Sequence, residues 1–169
     1  SRRNSAMDGD WVILGVGNLL MSDDGVGIHA VRELLRDPPA GARIVETGTE
    51  FLSALPILES ARRVLVLDAV RGKGAPGSIY RLEPGDVELR PETGSAHATS
   101  VFEARRFLPP GAPWPEMTVL GVEPLVLDYG MALSKPVADA LPRLVDRARN
   151  VLCEWRDTRS SNATNQVAS

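Results

Sequence analysis

Short apolar runs alternate with amphipathic stretches along most of the chain. Trp11-Val-Ile-Leu14 is an unbroken apolar run ending at Gly15, the pattern of a strand buried on both faces. Beyond it, Val26, Val31, Leu34 and Leu35 mark the buried stripe of a helix. Asp23 or Asp24 can cap it, and Asp37-Pro-Pro39 stops it. Ala42 to Glu46 reads as a second strand, and Glu50 to Glu59 as a helix that Pro56 shortens or bends. Val64-Leu-Val-Leu67 is another continuous apolar run, closing on Asp68. Ser78 to Leu82, before the Pro84-Gly85 turn, and Met117 to Gly121 read as further strands. Between them, Val101, Phe102, Ala104, Arg105 and Leu108 have the spacing of one helical side within Thr99 to Leu108. Ser134 can cap the last helix, with Pro136 in its first turn, an apolar stripe from Val137 to Trp155, and a predicted kink at Pro142.

This alternation predicts an α/β fold, a three-layer αβα sandwich around a mostly parallel, twisted sheet of about five strands. A single domain is expected over residues 11–155, with residues 1–10 and the Ser, Asn and Thr-rich residues 156–169 as flexible termini. Composition adds little, since 43% hydrophobic and 24% charged residues are ordinary for a globular protein. A formal net charge of -3 gives no reason to expect a nucleic-acid or anionic-membrane partner. No apolar run reaches the ~18 residues of a membrane span. The two arginines near the start are followed by no apolar h-region, so no secretory signal is expected. The one cysteine, Cys153, cannot form an internal disulfide, which points to a reducing cytoplasm. Its place between Leu152 and Trp155 predicts a half-buried packing residue.

Open α/β sheets bind ligands beyond the carboxyl ends of their strands, and two carboxylates fall there. Asp24 lies in the loop after the first strand and Asp68 ends the strand from Val64. Neighbouring strands lie ~4.8 Å apart, so the two carboxylates can meet at one ion if their strands are adjacent. The loop opens Gly15-Val-Gly17 like a dinucleotide fingerprint, but Leu20 takes the place of the third glycine and two aspartates would repel a pyrophosphate. A helix N-terminus instead favours an ionised Asp, ready to bind a cation. Gly25 and Gly27 leave room for another backbone, which could be that of a substrate. His97 lies in the small-residue loop Gly94 to Ser100. Two carboxylates and one imidazole form a three-ligand set with open positions, suited to Zn²⁺ or Ni²⁺. The plainer alternatives are helix capping for Asp23 and Asp24, a capped turn for Asp68 and a solvated loop residue for His97.

The run Gly15-Val-Gly-Asn-Leu-Leu-Met-Ser-Asp-Asp-Gly-Val-Gly27 resembles the opening motif of the hydrogenase maturation endopeptidases. Three later pieces resemble the same family in the same order: Glu46-Thr-Gly-Thr49, Val64-Leu-Val-Leu-Asp-Ala-Val70, and Gly121-Val-Glu-Pro124 followed by Gly130-Met-Ala-Leu-Ser134. The resemblance implies an endopeptidase that cuts a C-terminal extension from the large-subunit precursor of NiFe hydrogenase after nickel insertion. It also implies a metal site of Asp24, Asp68 and His97, with Asp24 and Asp68 as candidate catalytic groups. The nickel is then presented by the substrate rather than permanently held, and the protein is a cytoplasmic monomer that docks a large partner. Some relatives carry Glu at the first ligand, so Asp24 requires the metal or backbone to shift by about a methylene. Three roles stay open for the site: docking the metal, polarising the scissile carbonyl, or activating water through a carboxylate. The rival readings are a non-catalytic nucleotide- or ligand-binding module, and a protease of the same fold acting on another metalloprotein precursor.

Overall fold

The computed structural model describes residues 11–49, 51–83, 101 and 103–167. Five strands form one sheet: β1 (Trp11–Val16), β2 (Arg43–Gly48), β3 (Arg63–Ala69), β4 (Ile79–Leu82) and β5 (Glu116–Val122). Their order is β2-β1-β3-β5-β4, parallel except for β4, which pairs antiparallel with β5 at one edge. Among the described residues three α-helices with full bounds accompany them: α1 (Val26–Leu34), α2 (Leu55–Ser60) and α3 (Lys135–Val167).

The continuous apolar runs are explained by burial on both sides. Along β1 and β3, Trp11, Ile13, Leu65 and Leu67 face one core with α1 and α3 residues such as Val31, Leu34, Leu144 and Leu152. Val12, Leu14, Val64 and Val66 face the other, with Ala54, Leu58 and Val101. The period of two along each strand thus feeds two cores, which is the three-layer α/β sandwich expected from the pattern.

Several local details depart from the expectations. Leu35 follows the last residue of α1 and keeps helical backbone angles, but its side chain is half exposed and does not join the buried stripe of Val31 and Leu34. Pro56 does not bend a helix. A 3₁₀ turn, Phe51–Ala54, comes first, and the proline lies in the first turn of α2, where its missing N–H costs nothing. Of the helix expected over Thr99 to Leu108, Val101 and Glu103 are α-helical, and a 3₁₀ turn, Ala104–Phe107, follows them with Ala104 buried and Arg105 exposed. Cys153 is exposed, since its helical position turns it away from the core that Leu152 and Trp155 enter. The last helix does not end near Trp155 but runs to Val167. Trp155 packs edge-on against Trp11, and Arg159 lies over the Trp11 ring, so a polar sequence stays helical beside an aromatic anchor.

α1 starts against the sheet, and glycine makes this possible. A Cβ on Gly27 would lie 2.1 Å from the Leu67 carbonyl oxygen and 2.6 Å from that of Val16. The neighbour for which Gly27 clears space is therefore this chain's own β3, not a substrate backbone. Gly27→Ala should lower unfolding free energy by about 1–3 kcal/mol, read from urea unfolding, because helix and strand must separate to admit the methyl.

Candidate active site

The sheet order puts the switch point at β1 and β3. The chain leaves β1 through α1 toward β2 on one side, then returns through α2 to β3 on the other. A ligand crevice is expected just beyond the carboxyl ends of that pair. β1 and β3 are hydrogen-bonded neighbours, with Gly15 opposite Leu67, so the loop carrying Asp24 and the strand end carrying Asp68 lie side by side. The adjacency that the sequence reading required is present.

Burial marks the same place. The buried polar side chains among the described residues are Ser22, Asp23, Asp68, Thr118 and Glu123, and all but Thr118 lie at the carboxyl end of the sheet. Burying such groups is costly without partners, so their concentration identifies an organised polar region.

Asp68 is fully buried, and its Oδ1 accepts the Ala69 N–H at 2.8 Å. Its place in β3 puts it on the Val64 and Val66 face of the sheet. Asp24 is partly exposed, and its Oδ2 accepts the Asn18 N–H at 2.9 Å. Neither aspartate of the loop caps α1 through its side chain, because a 3₁₀ turn, Ser22–Gly25, intervenes.

Asp23 has a different task. Its Oδ2 accepts the N–H groups of Leu125 and Val126, each at 2.8 Å, and the Ser134 hydroxyl at 2.7 Å. Its Oδ1 accepts the Ser134 N–H at 2.7 Å. Backbone bonds sew the same two loops together: Ser22 N–H to the Gly130 carbonyl, Asp23 N–H to that of Val126, and Gly130 N–H to that of Leu20. Ser22 accepts a φ of 50°, and its hydroxyl donates to the Asp128 carbonyl at 2.8 Å. Burial pushes the Asp23 carboxyl up, but the bonds from Val126, Ser134 and Leu125 outweigh it and hold its pKa below the ordinary value.

A second polar cluster sits at the end of β5. Glu123 Oε2 accepts the Gly72 N–H at 2.6 Å and the Tyr80 hydroxyl at 2.8 Å, and the Tyr80 oxygen accepts the Gly74 N–H at 2.9 Å. Burial, together with the bond to Glu123, pushes the Tyr80 phenol up. An open cleft of about 360 Å³ lies alongside, lined by Arg71, Glu123 and residues 124–128. The sequence reading assigned no role to Glu123, although it stood inside a recognised motif.

All four motif pieces therefore gather at one end of the sheet. Glu46–Thr49 borders the first loop, with the Gly17 N–H donating to the Gly48 carbonyl, while the Glu46 side chain turns away to pair with Arg32 at 2.8 Å. His97 lies outside the described residues. Among those described, no group of three or more His, Cys, Asp or Glu could hold a metal ion. His29 lies on α1, where burial and the Arg32 charge hold its pKa down, and its buried Nε2 has no hydrogen-bond partner among the described residues.

The loop is a poor phosphate cradle for a reason the sequence did not show. The N–H groups of Gly17, Asn18, Leu20, Met21, Ser22, Asp23 and Asp24 all donate within the protein. A phosphate would have to displace those acceptors.

Comparison with known proteins finds relatives in sequence and in fold. A family model described as hydrogenase maturation protease matches residues 28–151. A hydrogenase expression/formation protein HupD from Bradyrhizobium diazoefficiens is 35% identical over 167 residues, covering 89% of this chain and 82% of that protein. The hydrogenase maturating endopeptidase HybD from E. coli superposes with a TM-score of 0.73 at 26% identity, covering 88% of this chain and 93% of that one. The NiFe hydrogenase maturation protease HybD from Thermococcus kodakarensis superposes with a TM-score of 0.71 at 26% identity, over 84% and 98% of the two chains.

Asp23→Asn should cost about 2–4 kcal/mol in urea unfolding, because an amide NH₂ then faces donors that need an acceptor. The wild-type stability contribution is complete above the ordinary carboxyl value of 3.8 and is lost as pH falls through the lower folded value. The acid limb of the stability curve should therefore be shallower in Asp23→Asn than in the wild type.

Proposed function

Since the chain belongs to the hydrogenase maturation protease family, and is thus a peptidase, we propose that it removes a C-terminal extension from the nickel-loaded large-subunit precursor of a NiFe hydrogenase. The observation that carries this reading is the placement of Asp24 and Asp68 at the carboxyl ends of adjacent central strands, at the switch point of the sheet. Asp24, Asp68 and His97 engage the nickel that the precursor brings, so the metal is cargo of the substrate and not a resident cofactor. Two carboxylates and an imidazole suit a borderline divalent ion with positions left open.

The two carboxylates divide the work. Peptide hydrolysis needs a group that takes a proton from the attacking water. Asp24 is partly exposed and is the carboxylate that water reaches, whereas the fully buried Asp68, steadied by the Ala69 N–H, is the fixed ligand. Nickel in this position supplies Lewis acidity to the scissile carbonyl and makes cleavage conditional on metal loading.

We place the reaction in a reducing cytoplasm, with the protein acting as a monomer. The exposed thiol of Cys153 suits such a compartment. No helix among the described residues is long and apolar enough to cross a membrane.

Purified precursor, with and without nickel, provides the test. The nickel-loaded form should be cut and the nickel-free form left intact; equal cutting of both would overturn the gating role. Asp24→Asn and Asp68→Asn should each slow cleavage by about 100-fold or more, with unchanged circular dichroism. Wild-type rates in either variant would remove that residue from the site.

A further inference from the structure

Among the described residues, eight large apolar side chains stand exposed, and five of them lie on the two loops sewn together beside Asp24: Leu20, Leu125, Val126, Tyr129 and Met131. Tyr129 is 89% and Met131 70% exposed, values that leave most of each side chain in water. Isolated exposed apolar residues are ordinary, but a concentration of them beside a site marks a surface that something covers. The backbone here is not loose. Met21 and Gly130 form a β-bridge, the Gly130 N–H donates to the Leu20 carbonyl, and Asp23 fixes Leu125 and Val126 from below. A rigid loop presenting Tyr and Met loses little entropy on binding and offers a large contact area.

We propose that this apolar rim is the docking surface for the metal-bearing precursor, gripping the polypeptide next to the segment that is cut. The proposal rests on the functional reading above and deepens it. The surface and Asp24 share one loop, with Leu20 four positions before the carboxylate and Val126 bonded to the aspartate next to it. A macromolecule whose metal reaches Asp24 must therefore cover this rim, so the interface is continuous with the site. Leu125 and Val126 also line the cleft of about 360 Å³, which has room for an apolar side chain of the docked chain.

The test compares Leu20→Ser, Met131→Ser and the double variant Tyr129→Ser/Met131→Ser with the wild type. Leu35→Ser, at the far end of α1, serves as an exposed apolar control. Each is titrated with nickel-loaded precursor for binding and assayed for cleavage. The rim variants should raise KM by about tenfold, the effect of losing one interface contact of more than about 1 kcal/mol, while kcat and the Leu35→Ser kinetics stay near wild type. Cleavage with KM unchanged in all rim variants overturns the docking role and leaves the protease reading standing. Binding without cleavage in the wild type, weakened by the rim variants, supports the docking role and overturns the protease reading. Absence of both in the wild type overturns both. Sedimentation of the free protein decides the remaining case: a dimer that Tyr129→Ser/Met131→Ser dissolves assigns the rim to a second copy and overturns the proposal.

Discussion

A carboxylate with no access to solvent, Asp23, takes four hydrogen bonds from Leu125, Val126 and Ser134, residues 102 to 111 positions away in sequence. Together with the Met21 and Gly130 bridge and the backbone bonds around it, this carboxylate holds two loops together beyond the carboxyl end of the parallel sheet. The charge stays buried because every lone-pair direction that matters is met by a donor. Breaking one side would leave either an unpaired charge or several unpaired N–H groups, both expensive in a low-dielectric setting. Asp24, one residue on, inherits its position from this clamp. Its neighbour does the structural work, and the catalytic candidate is left partly open to water.

The glycine frame acts from the other side. Gly27 lets α1 begin in contact with the Leu67 carbonyl, one residue before Asp68. At Gly17, where φ is 129°, an added Cβ would lie 2.0 Å from the Asp24 carbonyl oxygen. The loop is therefore folded tightly on itself and pressed onto β3. The spacing between the Asp24 loop and the Asp68 strand end is set by backbone contacts rather than by side-chain reach.

The sheet was largely legible because burial on both faces writes continuous apolar runs, as in Trp11–Leu14 and Val64–Leu67, and these are hard to mistake. Asp68 was legible for the same reason, as a charge placed directly after four buried residues. What lay hidden depends on contacts distant in sequence. Asp23 read as a helix cap because its real partners lie beyond position 124. Gly25 and Gly27 read as space for a substrate because neither the fold-back of Asn18 and Leu19 onto Gly25 nor the approach of β3 to Gly27 carries a local signal. The polar end of α3 read as flexible because the ring of Trp11, which Arg159 covers, lies at the other end of the chain. The motif pieces conveyed order but not their meeting point, and the register of β1 on β3 supplied it.

The three tryptophans of the chain share one end of the molecule. Trp11 begins β1, Trp155 stacks edge-on against it at 5.6 Å beneath the Arg63 guanidinium, and Trp114 lies two residues before β5. That is the amino-terminal margin of the sheet, opposite Asp24 and Asp68. Tryptophan emission consequently reports on the integrity of the fold from the margin remote from the crevice, whereas the two tyrosines, Tyr80 and Tyr129, lie beside it, so the protein carries separate optical probes for its two ends.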